Sequence, residues 1–287
     1  MISSVVKILR PKQWTKNLII FSGLIFSVNL FNNALIIKDL LAFILFCGLS
    51  SSIYIINDVF DLESDRKHPL KCLRPLPSGK LKVSHAAILA SVLSLVSILG
   101  SFALHYTFGI IGVIYFISFL LYSLYFKHVV ILDVLIISMG FVLRAVAGAM
   151  VIEVRVSPWF LICTFLLSLF LALGKRRHEL VLLNDQAGEH RKILDEYSPY
   201  FLDQMISVVT PSTLLAYSIY TLSKDAIKPN LEYTVPFVIY GIFRYLYLIH
   251  QKGEGGNPEL ILLTDLPIII NLILWGCTCV YLIYFYR

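Results

Sequence analysis

Asn57-Asp58-Val59-Phe60-Asp61-Leu62-Glu63-Ser64-Asp65-Arg66-Lys67-His68-Pro69, running on to Lys71, Arg74, Pro75 and Gly79, decides how this chain is read. It follows directly on an apolar run over residues 39–56, and the next apolar run begins near Ala86. Asn57, Asp61 and Asp65 recur every four residues, so a helix continued past the apolar run would project all three from one face. Three oxygen-bearing side chains, followed at once by Arg66, Lys71 and Arg74, suit a hard cation holding a polyphosphate. The carboxylates would take Mg²⁺, the metal would take diphosphate oxygens, and the basic residues would neutralise the remaining charge. The alternative is a helix cap leading into a solvated interfacial loop, since Asp and Asn often end helices. The crowding of Asp58, Asp61, Glu63 and Asp65 beside an apolar run serves no packing purpose and favours the metal–diphosphate reading.

Composition places this motif in a membrane protein. The hydrophobic share is 58%, the charged share 15% and the mean hydropathy +0.80. Apolar stretches of roughly 17 to 25 residues, each long enough to cross a bilayer, recur along the chain. No signal-peptide pattern is visible at the first residues. Instead Lys7, Arg10, Lys12 and Lys16 precede the first apolar run and are expected to hold that end in the cytoplasm. Of the cysteines, Cys47, Cys163, Cys277 and Cys279 sit in apolar runs and behave as small apolar side chains, and with Cys72 they suggest neither a disulfide framework nor a zinc site. The net charge of +6 reflects membrane orientation and anionic substrates rather than nucleic acid.

The expected fold is all-α and integral to the membrane, one polytopic domain over residues 1–287 with nine transmembrane helices. These fall near 17–33, 39–57, 85–104, 107–126, 130–152, 157–174, 206–223, 232–250 and 266–285. With the N-terminus inside, 18 of the 24 lysines and arginines lie on the cytoplasmic side and five on the other, with Arg144 inside a span. That asymmetry favours N-terminus in and C-terminus out of the cell membrane, and puts the acidic motif on the cytoplasmic face. The long charged connections, 58–84 and 175–205, lie on that side too, and the 184–203 part reads as a surface loop with a short amphipathic helix. Arg10-Pro11-Lys12-Gln13-Trp14-Thr15-Lys16 reads as an interfacial anchor or a substrate contact. His68 lies in the motif loop and is a weak candidate for a substrate contact, while the other histidines show no ligand spacing.

Further polar groups gather near the same face. Tyr122-Ser123-Leu124-Tyr125-Phe126-Lys127 ends the fourth span, and Arg144 lies within the fifth, eleven residues beyond Asp133. A charge inside a span costs about 2.5–3.5 kcal/mol on the insertion scale and normally faces the bundle interior with a partner. Arg144 could thus lock helices through an acid, or line a polar cavity with Lys127 and Tyr122 and bind phosphate oxygens. Lys175-Arg176-Arg177-His178-Glu179 ends the sixth span. It reads as positive-inside topology, or as a phosphate clamp whose arginines Glu179 orients. Arg244 and Asp265 are weaker candidates.

At these residues the sequence resembles the UbiA superfamily of intramembrane prenyltransferases. The likeness rests on Asn57-Asp58-x-x-Asp61-x-x-x-Asp65-x-x-x-Pro69, on Arg74-Pro75-x-x-x-Gly79, on Tyr122 with Lys127, and on the nine-span plan. It implies helices around a central cavity, open sideways to lipid and capped by cytoplasmic loops, with a Mg²⁺-bound diphosphate. Most members carry a second aspartate-rich motif after the sixth span. Here Gly174-Lys175-Arg176-Arg177-His178-Glu179-Leu180 stands in its place. That run, with Arg10 to Asn17 and Gly140-Phe141-x-Leu143-Arg144-Ala145-x-Ala147-Gly148, is similar to the branch of polyprenyl-phosphate phosphoribosyltransferases, which serve cell-wall biogenesis.

The branch implies phosphoribosyl diphosphate as donor and a polyprenyl (decaprenyl) phosphate as acceptor. Under that resemblance Asn57, Asp61 and Asp65 hold the metal, and Asp58 supports them or meets a ribose hydroxyl. Lys71 and Arg74 meet the diphosphate, Lys175 and Arg176 the 5-phosphate, and Tyr122, Lys127 and Arg144 the lipid phosphate. Two rivals stand beside it. An aromatic prenyltransferase would use a polyprenyl diphosphate on 4-hydroxybenzoate or a similar acceptor, and would need the second acidic motif. A transporter would place acids at mid-span and show repeated halves.

Overall fold

The structure, a computed structural model, describes residues 2–67, 71–183, 192–223, 230–256 and 258–286. The expectations for His68, Pro69 and the 184–191 part of the surface loop fall outside these residues. All regular structure among the described residues is helical. In chain order the α-helices are α1 (Ile2–Ile8), α2 (Ser22–Phe26), α3 (Asn33–Phe60), α4 (Leu62–Lys67), α5 (Val83–Leu104) and α6 (Tyr106–Leu124). There follow α7 (Leu132–Val151), α8 (Pro158–Leu183), α9 (Pro199–Leu222), α10 (Val235–Gln251), α11 (Pro258–Thr264) and α12 (Leu266–Val280), which runs into a π turn at Tyr281–Phe285.

Among the described residues seven helices, α3, α5, α6, α7, α8, α9 and α12 with its π turn, are long and apolar enough to cross a membrane. The two other expected spans are helical in another way. In place of 17–33 stand an eleven-residue 3₁₀ helix, Pro11–Phe21, and the five-residue α2. In place of 232–250 stand a 3₁₀ turn, Leu231–Thr234, and the 17-residue α10.

Contacts gather the chain into two compact units, residues 1–23, 32–136 and 143–154, and residues 24–31, 137–142 and 155–287. In the first, Asn32 caps α3 by accepting from the Ala34 and Leu35 amides at 3.1 and 3.4 Å. Phe46 on α3 packs against Phe108 and Tyr115 of α6, with ring centroids 5.7 and 5.1 Å apart. Near the other end of α3, Ile55 joins Ile8, Leu76, Leu81, Ala86 and Ala90 in a buried cluster. Burying a side chain such as Leu76 is worth about 1.5–3 kcal/mol. This cluster ties α1, the 71–82 turn and the start of α5 to the residues just ahead of the acidic motif.

The 3₁₀ helix repeats every three residues, so Trp14, Asn17 and Ile20 form one stripe. Asn17 and Ile20 are buried, while Leu18 beside them is exposed. The stripe meets α7 where that helix is narrowest, with Ala145, Ala147 and Ala149 all buried. Between them, a Cβ on Gly148 would run into the backbone carbonyl of Ile20. Small residues let two backbones approach in this way inside a bilayer.

In the second unit Trp275 donates to the Tyr217 hydroxyl (2.9 Å), which shares a hydrogen bond with Thr234 (2.6 Å). Leu231, Cys279, Leu282 and Ile283 form its buried cluster. Asp265 caps α12 and accepts from Arg244 at 2.8 Å, and that guanidinium, then the Ile268 amide, hold its carboxyl below the usual carboxylate range against the opposing effect of burial.

Gly148→Val should therefore lower the melting temperature in detergent by several degrees, because overpacking costs about 1–3 kcal/mol. Gly276→Ala, whose added Cβ meets nothing, should leave it unchanged, as a thermal melt of both variants would record.

Candidate active site at the end of α3

α3 gives out where its apolar run gives out. The backbone nevertheless keeps the four-residue step across the break. The Asp61 amide donates to the Asn57 carbonyl at 2.9 Å, and the Asp65 amide to the Asp61 carbonyl at 2.8 Å. The side chains divide instead of sharing one face. The Asn57 amide donates to Asp61 Oδ2 at 2.9 Å, and Asp61 Oδ1 takes the Lys127 ammonium at 2.5 Å. Asp65 turns to Arg74 (2.7 Å) and Lys71 (3.7 Å). Asp58 accepts from Arg74 at 3.1 Å and from Arg10, both on the same oxygen, Oδ1.

Two groups result: Asn57–Asp61–Lys127, and a chain Arg10–Asp58–Arg74–Asp65–Lys71 that alternates in sign. Asp58 and Asp65 are each only 3% exposed at the side chain. A buried carboxylate without a partner costs several kcal/mol, so the alternation is what permits two of them here. Arg66 does not join. It pairs with Glu63 at 2.9 Å on the surface, where both are well exposed and such a pair contributes little.

Local structure explains how the cations arrive. Lys71 and Leu73 bound a 3₁₀ turn. Arg74 follows, its carbonyl accepting from the Ser78 amide and that of Pro75 from the Leu81 amide, both at 3.0 Å. Gly79 closes the loop at φ +72°, a conformation glycine adopts without penalty. Leu76, buried in the cluster described above, fixes the loop from beneath. Lys127 lies in a second 3₁₀ turn, Phe126–His128, at the end of α6, and is buried there.

Arg10 comes from the N-terminal segment. Its backbone is left-handed (φ 53°, ψ 60°), which costs an ordinary residue about 1–2 kcal/mol. Pro11 follows, and a residue ahead of proline is normally extended. Ser51 pins both sides of it. Its hydroxyl donates to the Leu9 carbonyl (2.8 Å) and accepts from the Trp14 indole (3.0 Å). The guanidinium lies 5.2 Å from the centre of the Tyr54 ring. Ser51, Tyr54 and Asp58 follow one face of α3, and all three receive this segment.

Arg144 is 3% exposed. It donates to the Asn17 side-chain carbonyl at 2.7 Å and to the Tyr115 hydroxyl at 2.5 Å, with its guanidinium 4.8 Å from the Tyr115 ring centre. Asn17 is oriented in turn by Ser50 and Cys47. Tyr122 packs on Phe119, whose ring lies tilted against Tyr115 with centroids 4.6 Å apart. The first unit thus brings together Asn57, Asp58, Asp61, Asp65, Lys71, Arg74 and Lys127, and holds Arg144 among Asn17 and Tyr115. Sequence reasoning passed over Asn17 and Tyr115, and left Arg10 as an anchor or contact. The three-residue stripe from Trp14 was the available signal.

Lys175 and Arg176 belong to the second unit, on α8. Arg176 is buried and pairs with Glu179 at 2.5 Å, one turn along the helix. Arg177 bonds Asp203 at 2.6 Å. Gly255 and Gly256 lie against His178 so closely that a Cβ on Gly256 would strike its ring.

Three carboxylates and a side-chain amide oxygen are the donor chemistry a hard divalent cation takes. Among the described residues, however, no three His, Cys, Asp or Glu side chains converge on a ready-made cation site. The carboxylates face Arg and Lys instead, and would exchange those partners to accept a metal.

The UbiA prenyltransferase family profile matches residues 18–261, most of the chain. The chain belongs to that family. It is similar over nearly its whole length to two curated relatives named decaprenyl-phosphate phosphoribosyltransferase. The one from Mycolicibacterium smegmatis is 33% identical, covering 99% of this chain and 94% of the relative. The one from Corynebacterium glutamicum is 34% identical, covering 97% and 86%. The fold is that of a UbiA homolog from Archaeoglobus fulgidus solved with DMAPP and Mg²⁺, with TM-score 0.75, 19% identity and coverage of 98% and 99%. The protein is an integral membrane transferase of this family.

Arg74 is the group that neutralises both buried carboxylates. Arg74→Ala should lower stability by about 3 kcal/mol, the low end for breaking a buried pair, because the guanidinium is partly exposed. Adding Asp58→Asn and Asp65→Asn should return most of that stability, as melting curves of the three samples would record.

Proposed function

We propose that this UbiA family protein transfers 5-phosphoribose from phosphoribosyl diphosphate to a polyprenyl phosphate, releasing diphosphate. The reading is carried by the end-to-end likeness to two enzymes whose names state both the phosphoribosyl group and the polyprenyl phosphate. The site chemistry agrees with it. One acidic motif ringed by Arg74, Lys71 and Lys127 suits one diphosphate, and a run of basic residues stands where a second acidic motif would serve an allylic donor.

Asn57, Asp61 and Asp65 would hold Mg²⁺, which when bound supplies neutralisation of the leaving diphosphate. With Asp61 and Asp65 given to the metal, Lys127 and Lys71 would meet diphosphate oxygens, while Arg74, still held by Asp58, would turn the rest of its fork to them. An oxygen of the polyprenyl phosphate forms the new bond to ribose C1 as the bond from C1 to the diphosphate oxygen breaks, and diphosphate leaves with the electron pair. The nucleophile is already an anion, so no strong general base is needed. Alignment and charge stabilisation provide the rate. Asp58 anchors Arg74 rather than touching the metal. Lys175 and Arg176 are assigned the 5-phosphate, and Tyr122 and Arg144 the lipid phosphate, on their chemistry. The acidic motif then lies on the cytoplasmic side, where the donor is soluble, with the N-terminus inside.

Purified protein in detergent with Mg²⁺ is the test. Radiolabelled phosphoribosyl diphosphate with polyprenyl phosphate should give metal-dependent label in the lipid phase. Polyprenyl diphosphate with 4-hydroxybenzoate should give none, and product from that pair alone would replace this reading with aromatic prenyl transfer. Asp61→Ala and Asp65→Ala should each lose activity by about two orders of magnitude or more while remaining folded and inserted.

A further inference from the structure

Arg10 lies ahead of the family match, which begins at residue 18, and the reading above gives it no task. We propose that Arg10 is a positioning residue of the donor site, acting through Asp58 to aim Arg74. The inference rests on the placement of the donor diphosphate at the acidic motif.

The Arg74 fork shows why such aiming matters. Both of its carboxylate partners use a single nitrogen, Nη1, bonded to Asp58 Oδ1 at 3.1 Å and to Asp65 Oδ2 at 2.7 Å. Its Nε and Nη2 groups make no hydrogen bond among the described residues, and the side chain keeps 31% of its exposure. A guanidinium held by one corner between two buried carboxylates presents the rest of its fork outward, the arrangement that suits bidentate bonding to phosphate oxygens. The direction of that fork depends on where Asp58 Oδ1 stands, and Arg10 bonds that same oxygen.

The backbone at Arg10 supplies independent support. A left-handed, pre-proline arginine persists only where its surroundings over-determine it, and such residues collect at functional sites. Here Ser51 holds Leu9 on one side and Trp14 on the other, and the Tyr54 ring backs the guanidinium. A residue that served only to anchor the chain at the membrane surface would need no such conformation. The strain is accounted for if its purpose is to bring one cation onto Asp58.

Binding of inorganic diphosphate in Mg²⁺ to the full-length protein in detergent, followed by calorimetry beside a thermal melt, tests this. The wild type comes first. If it does not bind, the donor-site reading itself fails, whatever Arg10 does. Given wild-type binding, Arg10→Gly should bind about ten-fold more weakly or worse, with a melting temperature unchanged or raised, because glycine relieves the left-handed backbone. Asp58→Asn should also weaken binding. The double variant should be no weaker than the worse single one, the non-additivity expected of two residues in one network. Wild-type affinity in Arg10→Gly, or losses that multiply in the double variant, would overturn the proposal. Should Arg10→Gly melt well below the wild type, Arg10→Gln decides, since it keeps the backbone and most of the packing. Weaker binding at wild-type stability supports the proposal, and wild-type affinity defeats it.

Discussion

Two arginines on one carboxylate oxygen set the terms for everything around the end of α3. Asp58 and Asp65 are buried as deeply as core side chains, and an ion taken from water to such a place is tolerated only with close partners of opposite sign. The chain of alternating charges meets that demand before any substrate arrives. It also explains why the 71–82 turn is built so firmly, with Leu76 in the core and Gly79 at a positive φ. Arg74 cannot be placed loosely, because two carboxylates depend on it. The cost is that the site is self-neutralised at rest. On the proposed function, a metal and a diphosphate would have to exchange partners with the protein, the metal for Asp61 and Asp65 and the diphosphate for the cations.

Much of this was legible in the chain. The four-residue step of Asn57, Asp61 and Asp65 does persist in the backbone hydrogen bonds, and Lys71 and Arg74 do converge on it; Lys127, expected beside Tyr122 and Arg144, pairs with Asp61 instead. What the step could not reveal is that the side chains separate into two groups. That division is set by Arg74 and Lys127, which arrive from different turns, and spacing along one helix carries no information about them. Arg66 illustrates the same limit: Glu63, one turn back on the same helix, captured it. Arg144 was legible as a buried charge in need of company. Its contacts with Asn17 and Tyr115 were not, since charge arithmetic looks for acids and these are neutral.

The N-terminal segment was the hardest part to read, for a specific reason. The apolar run reads as a first membrane span over 17–33, whereas the structure has a helix of period three over Pro11–Phe21. Trp14, Asn17 and Ile20 make no amphipathic α-helical stripe, yet in the 3₁₀ form they share one edge. The basic run on α8 reads as topology or as a clamp that Glu179 orients, and in the structure Arg176 pairs with Glu179 and Arg177 with Asp203, both acids of their own unit.

The 3₁₀ helix has a further consequence for how this segment can change length. It rises about 2.0 Å per residue with three residues to the turn, so its eleven residues reach about as far as fifteen in an α-helix. Loss or gain of a single residue between Pro11 and Ile20 would rotate Trp14 and Asn17 away from α3 and α7. A change of three residues would keep the stripe in phase, yet would slide Arg10 by about 6 Å along the helix axis, beyond the reach of Asp58. The segment works as a ruler, on which only one length satisfies both the packing and the charge.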